Sequence, residues 1–219
     1  MAEIFQFKPK ATLTAAQNLG VFISKCRVQL IVFGSDLNWE APVWPNITVF
    51  AKLGIITRTP MQGEVQDPAF IDFAKAYFRY QQGHHPTGTK NESKALRAIE
   101  AALIQVNGNA NIDGLSISVL DEASELARQH YSDGAAYHCG REIERLAKFV
   151  VENRLVSSAV QNWVNPIRRA EDKNKTGREA KKIGKRNYRV ILPSTRLRKF
   201  LQTIQWMKET YLQHRCLLC

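Results

Sequence analysis

The sequence has few cysteines and no long apolar run. Four cysteines in 219 residues are too few and too scattered to staple the chain, whose apolar residues suffice for a core. No stretch approaches the roughly 20 uncharged apolar residues of a membrane span. No apolar segment follows Lys8 and Lys10, as a secretory signal requires. We therefore expect a globular, cytoplasmic protein of one large or two small domains, without a membrane partner.

The sequence also lacks the motifs of several enzyme classes. It contains no Gly-rich phosphate loop, no HExxH and no nucleophile elbow. Cys216 and Cys219 form one C-x-x-C pair without the second pair of a zinc site, and the same four residues match a C-a-a-X box. His84 and His85 are adjacent, a spacing that disfavours ligation of one metal ion. We predict no metal, no other cofactor and no small-molecule substrate.

Positive charge is concentrated near the carboxyl terminus. Residues 1–150 contain 15 basic and 15 acidic residues, whereas residues 151–219 contain 16 and 5, which accounts for the net charge of +11. Residues 165–199 alone contain 13 basic and 3 acidic residues. Such a segment lacks the apolar area to fold alone and indicates an arm that binds a polyphosphate, with a solubilising linker as the alternative.

Periodicity and capping residues predict a mainly α protein. A first helix begins near Thr12, and short extended pieces follow around residues 47–50. Trp39, Trp44 and Phe50 are expected to anchor a small core, with base stacking as the alternative. Residues 57–66 are predicted to be a linker.

Four further helices are predicted after this linker. They cover about residues 68–82, 89–106, 118–131 and 135–155, and Ser118 is the candidate cap of the third. Short connections favour a compact antiparallel cluster. An amphipathic helix is predicted from Ser194 to the end of the chain.

Two of these helices carry basic residues at helical spacing. At 100° per residue, three cations of the helix predicted at residues 89–106 lie within about 60° of one another. They are Lys90, Lys94 and Arg97. The helix predicted at residues 135–155 has an i, i+4, i+7 stripe of Arg141, Arg145 and Lys148. We expect two outward-facing cationic ridges that contact phosphates, with ordinary solvated faces as the alternative.

Two long segments resemble a known family. They are AAQNLGVFISKCRVQLIVFGSDLNWEAPVW at residues 15–44 and WVNPIRRAEDKNKTGREAKKIGKRNYRVILPS at residues 163–194. With the four-helix cluster, they resemble the amino-terminal and core-binding (SAM-like) region of phage-integrase-family tyrosine recombinases of bacterial mobile elements. The resemblance implies an amino-terminal module (1–60), a four-helix core-binding domain (67–164), a basic connector (165–193) and a terminal helix (194–219) that is a remnant of the catalytic-domain start.

The resemblance implies that the partner is double-stranded DNA in the bacterial nucleoid, alongside other recombinase subunits. The implied phosphate contacts are Lys90, Lys94, Arg97, Arg141, Arg145 and Lys148 on the helices, and Arg168, Arg169, Lys173, Lys175 and Arg178 on the connector. Asn91 and Ser93 are the nearest candidates for base contacts.

The catalytic part of this family is not expected here. The family cleaves DNA with a tyrosine nucleophile inside a cluster of arginine, lysine and histidine side chains. Its catalytic domain would begin near Leu192, and only 27 residues follow Leu192. We therefore expect the DNA-binding portion of a site-specific integrase, truncated before the catalytic domain and not itself an enzyme. The alternative is a protein-interaction module that docks through the terminal amphipathic helix.

Overall fold

The protein is mainly helical, as the sequence predicts. The computed structural model describes residues 6–168, apart from residues 30, 33–34 and 85–88. The described helices are α1 (Ala15–Val28), α2 (Pro68–His84), α3 (Thr89–Asn107), α4 (Ile117–His130) and α5 (Asp133–Glu152), with 3-10 turns at Gln62–Glu64 and Ile112–Gly114. The predicted connector from Arg169 onward and the predicted terminal helix (194–219) lie outside the described residues.

Two predicted caps are each wrong by two residues. α1 begins after Thr14 instead of Thr12, because the Thr14 hydroxyl accepts from the Gln17 backbone N–H at 3.3 Å and the Gln17 side chain accepts in return. α4 begins after Ser116 instead of Ser118, since Ser116 has the extended backbone of a cap and accepts from Val119. Periodicity places a helix, but only backbone conformation selects between two nearby hydroxyls.

Short strands follow α1. They are β1 (Ile31–Val32), β2 (Ser35–Asp36), β3 (Val43–Trp44) and β4 (Thr48–Val49), and they pair antiparallel as β1–β2 and β3–β4. The β3–β4 turn has Pro45 at its second position and Asn46 at its third, with φ +62°. The Ile47 N–H donates to the Trp44 carbonyl at 3.0 Å and closes a type II-like turn.

The amino-terminal segment and α2–α5 share one apolar core. Trp39, Trp44 and Phe50 are 5%, 1% and 3% exposed, which confirms their prediction as core anchors and leaves no free face for base stacking. Their ring contacts reach the helices, for example Trp44 to Phe78 with centroids 5.9 Å apart. From α1, Phe22 contacts Phe149 of α5 at 5.5 Å.

Polar groups of α2 also hold this segment. The Lys75 ammonium donates to the Trp39 carbonyl, and the Trp39 indole donates to the Asp72 carboxylate at 2.9 Å. Arg79 donates to the Gln29 carbonyl at 2.6 Å. Burial lowers the pKa of Lys75, although Asp72 opposes this shift. These cations stabilise the fold and are not available to an external partner.

Candidate nucleic-acid interface

The outer face of α5 carries a row of exposed cations. Arg141, Arg145 and Lys148, hereafter the α5 ridge, have side chains that are 61%, 47% and 50% exposed. The opposite face of the helix packs into the core through Ile143, Leu146, Ala147 and Val150, which are fully buried. The predicted outward orientation of this stripe is therefore confirmed, and its contact with phosphate stays a prediction.

Each cation of the α5 ridge has an acidic neighbour on the same helix. Arg145 donates to Glu142 at 2.8 Å, and Lys148 donates to Glu144 at 3.0 Å. Arg141 lies 3.9 Å from the same Glu144 carboxylate. Ion pairs of this exposure typically contribute about 0–1 kcal/mol. A phosphate can displace such partners, so the pairs lower the positive potential of the α5 ridge without removing its cations.

The corresponding stripe on α3 is organised differently. Arg97 was expected to face outward, but that orientation is wrong. Its guanidinium is half-buried and donates to the carbonyls of Ile55 at 2.8 Å and Val49 at 2.9 Å. Burial lowers the pKa of Arg97, and the neighbouring Tyr131 opposes this shift. The amino-terminal segment crosses this face of α3, which the helical spacing of the basic residues does not reveal.

The other α3 candidates are also drawn into the fold where their side chains are described. Lys94 is half-buried, with its ammonium 5.4 Å from the centre of the Tyr131 ring. Ser93, a candidate for base contact, shares a hydrogen bond with Thr48 of β4, and Asn91 is half-buried. The side chain of Lys90 lies outside the described residues. The described part of α3 therefore offers no exposed cationic ridge.

The chain leaves α5 along a segment packed on α4 and α5, hereafter the strap (residues 160–167). The Trp163 indole donates to Asp121 of α4 at 2.8 Å, and Arg128 of α4 donates to the Pro166 carbonyl at 3.2 Å. Val160, Trp163 and Ile167 are buried. The predicted connector was placed from residue 165, but residues 165–167 belong to this packed segment.

Asn165 fixes the strap against the first half of α5. Its side-chain nitrogen donates to the Tyr137 carbonyl at 3.4 Å, and its oxygen accepts from the Ile167 N–H at 3.0 Å. A Cβ placed on Gly140 would lie 2.1 Å from that oxygen, so glycine is required for this close approach. Arg168 follows and is exposed. Three residues of chain span at most about 10 Å, which places Arg168 near the start of the α5 ridge.

The remaining connector candidates follow the last described residue, Arg168. Arg169, Lys173, Lys175 and Arg178 lie outside the described residues, and their role stays a prediction. The strap itself was missed by the sequence reasoning. The signal that marks it is the apolar content of W-V-N-P-I, since Trp163 and Ile167 stand directly before the basic run and need a surface to bury against.

The described residues show two buried thiols and no metal-binding cluster. Burial raises the pKa of Cys26 and of Cys139 to about 12, which keeps both thiols protonated and unreactive. Residues 6–168, with the gaps named above, contain no group of three or more potential metal ligands. None of the helices described is long and apolar enough to cross a membrane.

Comparison with known proteins adds no relative. No family model, curated protein or solved structure matches the chain. The resemblance to integrases therefore stays a prediction from the two sequence segments quoted above and the predicted four-helix cluster.

Proposed function

We propose that this protein binds double-stranded DNA through the α5 ridge and the basic segment that begins at Arg168. The observation that carries the proposal is the outward row of Arg141, Arg145 and Lys148 beside the end of the strap. From there, the chain continues into a segment with 13 basic and 3 acidic residues between positions 165 and 199. Cations release counterions when they contact a polyphosphate.

In this proposal, the four helices α2–α5 act as the core-binding (SAM-like) part of a tyrosine recombinase. The sequence resemblance supports this assignment, and the α5 ridge and basic segment are consistent with it. The role of the chain is to occupy DNA during integration or recombination without cutting it, since no complete set of the catalytic residues of that class is recognised in the sequence. Phosphate contacts position a protein but do not specify sequence. We therefore expect weak dependence on base sequence and affinity of about micromolar or weaker at physiological salt.

Fluorescence anisotropy of labelled duplexes tests the proposal. The full chain is titrated into two duplexes of unrelated sequence at low and at physiological salt. Binding at low salt that weakens steeply as salt rises is the expected result. Absence of binding at low salt would falsify the proposal.

A second assay tests the proposal that the chain binds DNA without cutting it. The full chain is incubated with supercoiled plasmid, and the products are separated on an agarose gel. The expected result is retardation of the plasmid without nicked or relaxed product. Relaxation by the purified chain contradicts a purely DNA-binding role and requires a nucleophile that the proposal does not include.

A further inference from the structure

A second surface lies in the loop that Arg97 holds. Residues 53–63, hereafter the 53–63 loop, lie between two paired segments. The Lys52 N–H donates to the Glu64 carbonyl at 2.8 Å, the Gln66 N–H donates to the Phe50 carbonyl at 3.1 Å, and Ala51 is bridged to Val65. The base of the loop is therefore fixed like that of a hairpin.

The flank and tip of the loop are also fixed. The Arg97 guanidinium donates to the Ile55 carbonyl. Gly54, with φ +85°, lies beside the end of α4, since a Cβ built on it would be 3.8 Å from the His130 ring. At the tip, the Thr59 N–H donates to the Thr57 hydroxyl at 3.1 Å, and the Glu64 carboxylate accepts from the Met61 N–H at 2.9 Å. These bonds hold parts of the loop in place, which lowers the cost of ordering it against a partner.

The same loop exposes large apolar side chains. Ile56 is 95% exposed and Met61 is 73% exposed. Burial of such a side chain by a partner removes apolar surface from water and stabilises the complex. The 53–63 loop contains one charged residue, Arg58, which is exposed and stands between the two in the sequence. The adjacent Glu64 directs its carboxylate to the Met61 N–H. Proteins that bend DNA from the minor groove insert apolar side chains such as these between base steps, where arginine also meets the negative potential.

We propose that the 53–63 loop is a second DNA-contact element, which inserts Ile56 and Met61 into the minor groove with Arg58 against the phosphates or the groove floor. This inference rests on the proposed DNA binding. Its position is consistent with a shared duplex, because Gly54 lies beside His130 and α5 begins only three residues after His130, at Asp133. Arg141, the first member of the α5 ridge, follows Asp133 by about 12 Å along the helix axis. Arg97 is then a positioning residue for the loop, which differs from its predicted role as a phosphate contact.

The experiment uses the full chain and duplexes that contain 2-aminopurine, whose fluorescence rises when a base loses its stacking partner. Three proteins are compared: wild type, Ile56→Ser with Met61→Ser, and the control Val28→Ser with Ile117→Ser, which changes two other exposed apolar residues. Wild type and the control are expected to raise the fluorescence. The loop variant is expected to bind about tenfold more weakly without the rise. Its dependence on salt should be unchanged, because serine substitution removes no cation.

The outcomes separate this inference from the proposed function. DNA binding of equal strength by the loop variant and wild type, or a wild type that leaves the 2-aminopurine fluorescence unchanged, overturns the wedge and leaves binding by the α5 ridge intact. No binding by wild type at low salt overturns both proposals. Sedimentation velocity tests the remaining alternative, which is self-association of the chain through the loop. If the loop substitutions abolish self-association of the chain but leave DNA binding unaltered, a second copy occupies this loop and the proposal is wrong.

Discussion

α5 and α3 carry similar basic stripes in the sequence but use them differently in the structure. On α5 the guanidinium and ammonium groups are about half-exposed, and the ion pairs described for them are with glutamates of the same helix. On α3, Arg97 donates to two backbone carbonyls of the amino-terminal segment, and Lys94 lies against Tyr131. The comparison shows that a helical stripe of charge indicates a surface only when no other segment crosses it. We therefore propose that the α5 ridge binds DNA and that Arg97 stabilises the fold.

The largest effect is expected from removing the Arg97 guanidinium on α3. Arg97→Met leaves the carbonyls of Ile55 and Val49 without their donor, and we expect the free energy of unfolding to fall by about 2–4 kcal/mol. Urea denaturation followed by circular dichroism measures this change. The matched variant Arg141→Met on α5 should change the same quantity by less than about 0.5 kcal/mol. Equal losses in the two variants would remove the distinction between the helices.

Neutralising the α5 ridge is expected to have the next largest effect, now on binding. Arg141→Gln, Arg145→Gln and Lys148→Gln together should weaken DNA binding at low salt by about tenfold or more, because three phosphate partners are lost. Glutamine keeps the helix propensity of the replaced residues. The control is Lys8→Gln, Lys10→Gln and Lys25→Gln, which removes the same charge from exposed amino-terminal positions. Comparable weakening in both triple variants would indicate that net charge alone, and not the position of the cations, determines DNA binding.

Two glycines of α5 test the strap. Gly140→Ala forces the Asn165 side chain away from the helix, and we expect a loss of about 1–2 kcal/mol in the free energy of unfolding. Gly134→Ala is the control, since its Cβ would meet no atom within 4 Å. That substitution should be neutral or stabilise by about 0.5–1 kcal/mol. Faster proteolysis within residues 160–167 of the Gly140 variant alone provides a second readout. Identical behaviour of the two variants contradicts the strap contact.

The smallest effect concerns the acidic partner within the α5 ridge. Glu144→Gln frees Arg141 and Lys148 from their shared carboxylate, and we expect DNA affinity to rise by about two- to threefold. Glu125→Gln, which removes the partner of Arg128 on α4, changes the net charge equally and should have less effect. Anisotropy titrations of both variants at one salt concentration measure the difference. An equal gain in affinity would mean that total charge, and not the position of Glu144, controls binding.

The sequence predicted the helices well because their apolar faces recur at a regular spacing. It placed α2–α5 and identified the core role of Trp39, Trp44 and Phe50 correctly. It failed where the outcome depends on contacts between distant segments. The partners of Arg97 lie 42 and 48 residues away in the chain, and Trp163, which donates to Asp121, lies 42 residues from it. Residues 57–66 were predicted to be a linker, but Glu64 and Gln66 of this segment are hydrogen-bonded to Lys52 and Phe50. Such bonds leave no periodic pattern in the sequence.

The dependence of DNA binding on salt tests the central assignment most directly. The slope of log K against log salt concentration counts the phosphates that a protein neutralises, at about 0.9 per phosphate. The account predicts that wild type has a steep slope and that the variant lacking Arg141, Arg145 and Lys148 has a slope shallower by about 2–3. The Lys8, Lys10 and Lys25 control should retain the wild-type slope. A ridge variant whose slope equals that of wild type would show that these three side chains do not contact phosphate.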